Sequence, residues 1–68
     1  MFFYRIEYSF SSGIPGEGRY REYDTWFAEN CQEAVDLCRC EYGHIPDLRI
    51  ERVWKECYTG WMAVNALN

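Results

Sequence analysis

The side chains with the most distinctive chemistry in this chain are four cysteines and one histidine. Cys38, Cys40, His44 and Cys57 could in principle offer zinc four ligands of the kind it prefers. Their spacing argues against that use. Cys38 and Cys40 are two apart in a segment that reads as helix, which points them about 200° away from each other. Zinc-binding pairs instead favour two to four intervening residues in a turn. Cys31 and Cys38 fall on the apolar stripe of the same helix and read as small core residues. No metal is assigned, and the four residues stand only as candidates for a zinc-stabilised module. No cofactor is expected.

Nucleophilic catalysis requires a thiol or hydroxyl beside a base that a third group orients. His44 is the one histidine, and it lies in a loop next to Ile45-Pro46. A histidine there reads as a turn residue or a mild partner of the helix C-terminus. The carboxylate pairs Glu22 with Asp24 and Glu29 with Glu33 have no enclosed pocket to raise their pKa, so they read as solvated charge. Gly13-x-x-Gly16-x-Gly18 matches no phosphate-binding pattern, and no helix follows it directly. The chain is therefore expected to be no enzyme.

Aromatic rings and arginines carry a different kind of chemistry. Three Trp, six Tyr and four Phe occupy 19% of the sequence, more ring area than so small a single layer readily hides. Arg5, Arg19, Arg21, Arg49, Arg52 and Lys55 fall on predicted strands or their ends. Rings and arginines sharing one surface suit protein interfaces and also suit stacking on single-stranded nucleic acid. The residues singled out for an interface are Phe3, Arg5, Tyr20, Trp26, Arg52, Trp54 and Trp61.

Positioning these side chains requires a sheet. Phe2, Tyr4, Ile6, Tyr8 and Phe10 alternate with Arg5, Glu7 and Ser9, the signature of a strand with one buried face; Phe3 is the aromatic exception on the polar side. A Gly/Pro/Ser loop follows at 11–18 and a second strand at 19–28. In the second strand Arg21, Tyr23, Thr25 and Phe27 point one way, and Tyr20, Glu22, Asp24 and Trp26 the other. The first set reads as the core face from Tyr23 onward, which leaves Trp26 near Phe3 on the open face. Asn30 followed by Glu33 forms a capping-box pattern opening a helix at 31–42. Cys31, Ala34, Val35, Cys38 and Tyr42 make its apolar stripe, Gly43 supplies a left-handed C-cap, and Pro46 prevents resumption. A third strand spans 47–58, where Leu48 and Ile50 share a face and the alternation slips near Arg52, as a bulge or burial on both sides would make it do. The uncharged segment 59–68 is a tail, with a short fourth strand, a helical turn or an arm on a partner as its alternatives.

The architecture this implies is α+β: one domain over 1–68, two layers in ββαβ order, with a three-stranded antiparallel sheet in order 2-1-3. The helix covers one sheet face and leaves the other bare. A net charge of −4 argues mildly against sequence-independent nucleic-acid binding. No apolar run approaches the roughly 18 residues of a membrane span. The opening Met1-Phe2-Phe3-Tyr4-Arg5-Ile6-Glu7 reads as no signal peptide, so the chain is placed in the cytoplasm with its cysteines as thiols. The functional expectation is a small non-catalytic adaptor or inhibitor-like module, of the kind found among bacterial or phage accessory proteins. It would dock on another protein or on a second copy of itself. Single-stranded nucleic-acid binding through the open face is the alternative.

Overall fold

Tyr4, Ile6 and Tyr8 are buried in turn along the first strand, β1 (Phe2–Ser11), and the rest of the molecule is assembled around that row. The structure, a computed structural model, describes residues 1–64. After β1 come β2 (Arg19–Ala28), the helix α1 (Cys31–Glu41), β3 (Arg49–Cys57) and β4 (Gly60–Ala63). All strands run antiparallel to their neighbours in the order β2-β1-β3-β4. The fold is α+β with one helix, as expected, but the sheet has four strands rather than three. The added strand comes from the apolar tail: Met62 pairs with Lys55 and Trp61 with Glu56. Residues 65–68 of that tail lie outside the described residues. Gly60 makes the hairpin possible, because its φ of 129° is a conformation that side-chain-bearing residues rarely adopt.

The helix starts where Asn30 accepts from the Glu33 amide at 2.8 Å, satisfying one of the free amides of the first turn. It then lays Ala34, Val35 and Cys38 on the sheet, where they meet Tyr4, Ile6, Tyr8, Ala28 and Val53. Ala28, the last residue of β2, is fully buried; a residue this small lets the helix cross close to the strand it has just left. At the other end, Gly43 is not the left-handed cap expected from the sequence. A Cβ there would lie 3.0 Å from the Arg39 carbonyl oxygen, a tight contact that glycine avoids. The left-handed residue of this turn is instead Asp47, with φ 53°.

The register of β1 against β2 overturns the expected faces of β2. Tyr4 lies opposite Trp26, Ile6 opposite Asp24, and Phe10 opposite Tyr20. Residues directly opposed in an antiparallel pair share a face, so Trp26, Asp24 and Tyr20 join the helix side while Tyr23, Thr25 and Phe27 go to the open side. Trp26 packs edge-on against Tyr42 with ring centroids 6.2 Å apart. Asp24 would be a poor core neighbour, but the hydroxyls of Tyr8 and Tyr42 both donate to its carboxylate. The Tyr8 ring stacks on Tyr42 at 4.9 Å, and burial foremost holds the Tyr8 hydroxyl well above the usual phenol range.

The bulge in β3 is present. The register shifts between Glu7, opposite Arg52, and Tyr8, opposite Ile50, leaving Glu51 unpaired as an extra residue. Glu51 and Arg52 therefore both turn to the open face, and Ile50 and Val53 both face the core.

Candidate protein-docking face

The face without the helix is built from every second residue of β1 and β2, plus the residues that the bulge brings into phase. Arg5 stands opposite Thr25 on one side and Trp54 on the other, and Glu7 opposite Tyr23 and Arg52. Beyond Trp54, Trp61 of β4 is opposite Glu56. At one end, the Phe3 and Phe27 rings pack at 4.7 Å and are about half exposed.

Across the middle, Tyr23 and Trp54 lean towards each other over β1, with ring centroids 6.2 Å apart. Glu7 lies between their strands and is only 4% exposed, although no helix covers it. Its carboxylate accepts from the Tyr23 hydroxyl at 2.7 Å, and the Arg52 Nε lies 3.8 Å from Oε1. That separation gives charge compensation without a hydrogen bond, so Glu7 Oε1 is a buried atom with no hydrogen-bond partner among the described residues. The Glu7 carboxylate beside it raises the pKa of the Tyr23 hydroxyl, because ionising the phenol would remove the donor and oppose two negative charges.

Next to Trp54, the Arg5 guanidinium lies over the Trp61 ring at 4.6 Å from its centroid, a cation–π geometry. Arg5, Tyr23, Trp54 and Trp61 line a shallow depression of about 270 Å³. A second depression, of about 460 Å³, is lined by Arg5, Tyr23, Asp24 and Thr25.

The far end is polar and latched. The buried Ser9 hydroxyl donates to Glu51 Oε1 at 2.5 Å and accepts from Arg19 Nε at 3.2 Å. Arg19 also pairs with Asp47 at 2.5 Å and bonds its carbonyl at 2.6 Å. Arg49 approaches the same carboxylate at 3.4 Å. The hydrogen bond from Arg19 foremost lowers the Asp47 pKa, and the Ser9 hydroxyl does the same for Glu51.

Of the residues singled out from the sequence, Phe3, Arg5, Arg52, Trp54 and Trp61 share this face, whereas Tyr20 and Trp26 lie on the helix side. Sequence reasoning missed Tyr23 and Phe27 because they had been assigned to the core. The uncertain alternation of β2 was the one signal pointing to them. The thiols do not gather: Cys38 is buried beneath the helix, where burial foremost pushes its pKa up to about 11, Cys40 is exposed, and Cys57 closes β3. No three His, Cys, Asp or Glu side chains among the described residues are arranged to hold a metal ion. No helix among the described residues is long and apolar enough to cross a membrane. Comparison with protein families, with characterised proteins and with solved structures finds no match for this chain.

Proposed function

We propose that this chain is a small non-catalytic protein-binding module that docks its open sheet face on another protein. The supporting observation is the continuity of that face. Phe3, Phe27, Tyr23, Trp54 and Trp61 lie side by side across four strands, interleaved with Arg5 and Arg52, in the mixture of rings and arginines that concentrates binding energy at interfaces. The helix supplies the core of the domain from the other side, so this surface is free for recognition. Its outer rings are already exposed, so a partner would cover apolar area without the domain having to rearrange.

Site-specific photocrosslinking tests the reading. A benzophenone amino acid is placed at Phe27 on the open face or at Leu37 on the exposed back of the helix, and crosslinked species are compared in cells. Protein adducts from position 27 and none from position 37 are expected. Adducts from position 37 alone, or from neither position, would refute it.

A second reading, single-strand nucleic-acid binding, draws on one observation. Arg5, Arg19, Arg21, Arg49 and Arg52 on this face outnumber Glu7, Glu51 and Glu56, so it is net positive on a chain of charge −4. Yet Arg19 and Arg49 are occupied by Asp47, and Arg52 by Glu7, which leaves few cations for a phosphate backbone. Salt-sensitive binding of a 15-mer oligothymidylate with quenching of Trp fluorescence would favour this second reading.

A further inference from the structure

We infer that the depression around Arg5 is a carboxylate-binding site, which takes an aspartate or glutamate from an acidic, apolar-flanked segment of the partner protein. This rests on the open-face reading above and adds the chemistry of the partner. Arg5 is central to the face, borders both of its depressions, and has no carboxylate within ion-pair distance among the described residues. Its guanidinium carbon lies 4.6 Å from the Trp61 ring centroid. Contact with one ring cannot occupy all five guanidinium donors, so some stay open to a carboxylate, and it restricts the rotamers that binding would otherwise have to order. Tyr23 and Trp54 wall the same hollow, so an apolar neighbour of the bound acid has rings to rest on.

Charge decides between occupants. A second copy docking face to face would offer Arg5 mainly acids that are already engaged, Glu7 by Tyr23 and Glu51 by Ser9, which favours an acid from a different protein. A nucleic-acid strand needs a row of free cations, and this face offers Arg5 and Arg21 with their neighbours already paired. One acid in an apolar setting needs a single well-held guanidinium, which is what Arg5 provides.

The test uses the intact chain, immobilised and panned against a phage-displayed random peptide library. The selected peptides are then synthesised and titrated by Trp fluorescence. Enriched sequences should carry Asp or Glu beside an aromatic or aliphatic residue. Arg5→Gln should weaken binding roughly 10- to 100-fold, the range for losing a charge-assisted bidentate contact. Arg5→Lys should fall between, because it keeps the charge and loses the planar fork, while Arg39→Gln on the helix should change nothing. Arg5 is exposed, and circular dichroism confirms that each variant is folded. Peptides without acid enrichment that respond to Trp61→Ala but not to Arg5→Gln would overturn the carboxylate site and leave the docking face standing. Peptides indifferent to both variants, or no enrichment at all, would overturn both. A 15-mer oligothymidylate that binds more tightly than the selected peptides, and is lost with Arg5→Gln, would overturn the carboxylate site in favour of a phosphate ligand.

Discussion

Trp26 and Trp61 lie on opposite sides of one thin sheet, and truncating each to alanine should separate stability from recognition. Trp26 packs against the core and against Tyr42, beside the carboxylate that holds Tyr8 and Tyr42. A fully buried Trp→Ala change costs about 3–5 kcal/mol. Trp26 is only partly buried, which lowers the expected loss to about 2–3 kcal/mol. Trp61 is 37% exposed and chiefly contributes its contact with Arg5, about 0.5–1 kcal/mol. With a urea m-value of about 1 kcal/mol/M for so small a domain, Trp26→Ala should lower the midpoint by about 2–3 M and Trp61→Ala by about 1 M or less. Circular dichroism at 222 nm follows both transitions. A domain of this size has only about 3–5 kcal/mol in hand, so Trp26→Ala should populate the unfolded state even without urea. Equal shifts for the two variants, or a larger one for Trp61→Ala, would refute the assignment of faces.

Other consequences are measurable on the isolated protein. With Ellman's reagent at neutral pH, exposed Cys40 should react quickly, whereas Cys38, with burial and the Asp24 charge raising its pKa to about 11, should react only as the chain unfolds; uniform rates for all four thiols would contradict this. The pKa values of Asp47 and Glu51 are lowered in the folded state, so their stabilisation is fully present above the ordinary carboxylate range near pH 4 and is lost as pH falls through the folded values. The melting temperature should therefore drop on acidification below that range, and Asp47→Asn should flatten the drop; an unchanged pH profile would remove the Arg19–Asp47 latch. Gly60→Val meets no steric neighbour but must adopt a φ of 129°, at a cost of about 1–3 kcal/mol. Hydrogen exchange should show faster amides in β4 first, and protection there equal to the parent chain would contradict the strained turn.

Much of the fold could be read from local patterns, because strong local physics sets it. The alternation of Tyr4, Ile6 and Tyr8 has no competing phase, and Asn30 with Glu33 admits few backbone paths other than a helix start. The phase slip at Arg52 located the bulge. Where reading failed, the two alternatives were nearly matched in hydrophobicity. In β2 the odd positions hold Tyr23 and Phe27, the even ones Tyr20, Trp26 and Ala28, and alternation alone cannot rank them. The decision belongs to the pairing with β1 and to Asp24, whose place on the core side depends on hydroxyls from Tyr8 and Tyr42, neither nearby in sequence. The candidate face was legible to a smaller extent: Phe3 and Arg5 follow from the alternation of β1, whereas Trp54 and Trp61 depended on the bulge and on the tail pairing as β4, and Tyr23 and Phe27 on the register. The burial of Glu7 had no sequence signal, because it depends on two rings from the flanking strands closing over β1.

The bulge at Glu51 bears on how the gene could lose or gain a codon. In β3 the side chains up to Ile50 keep one parity and those from Val53 the other, so Glu51 acts as an inserted residue with its frame restored by the bulge. Removing Glu51 alone would leave Leu48, Ile50 and Val53 in unbroken alternation with Arg49 and Arg52, and the core would keep its side chains. Removing Ile50 would also absorb the extra residue but would set the Glu51 carboxylate at the vacated core position. Single-codon deletions along β3 should therefore be sharply unequal, with the open-face residues Glu51 and Arg52 the tolerated sites, and loss of Glu51 leaving the Ser9 hydroxyl without its carboxylate partner.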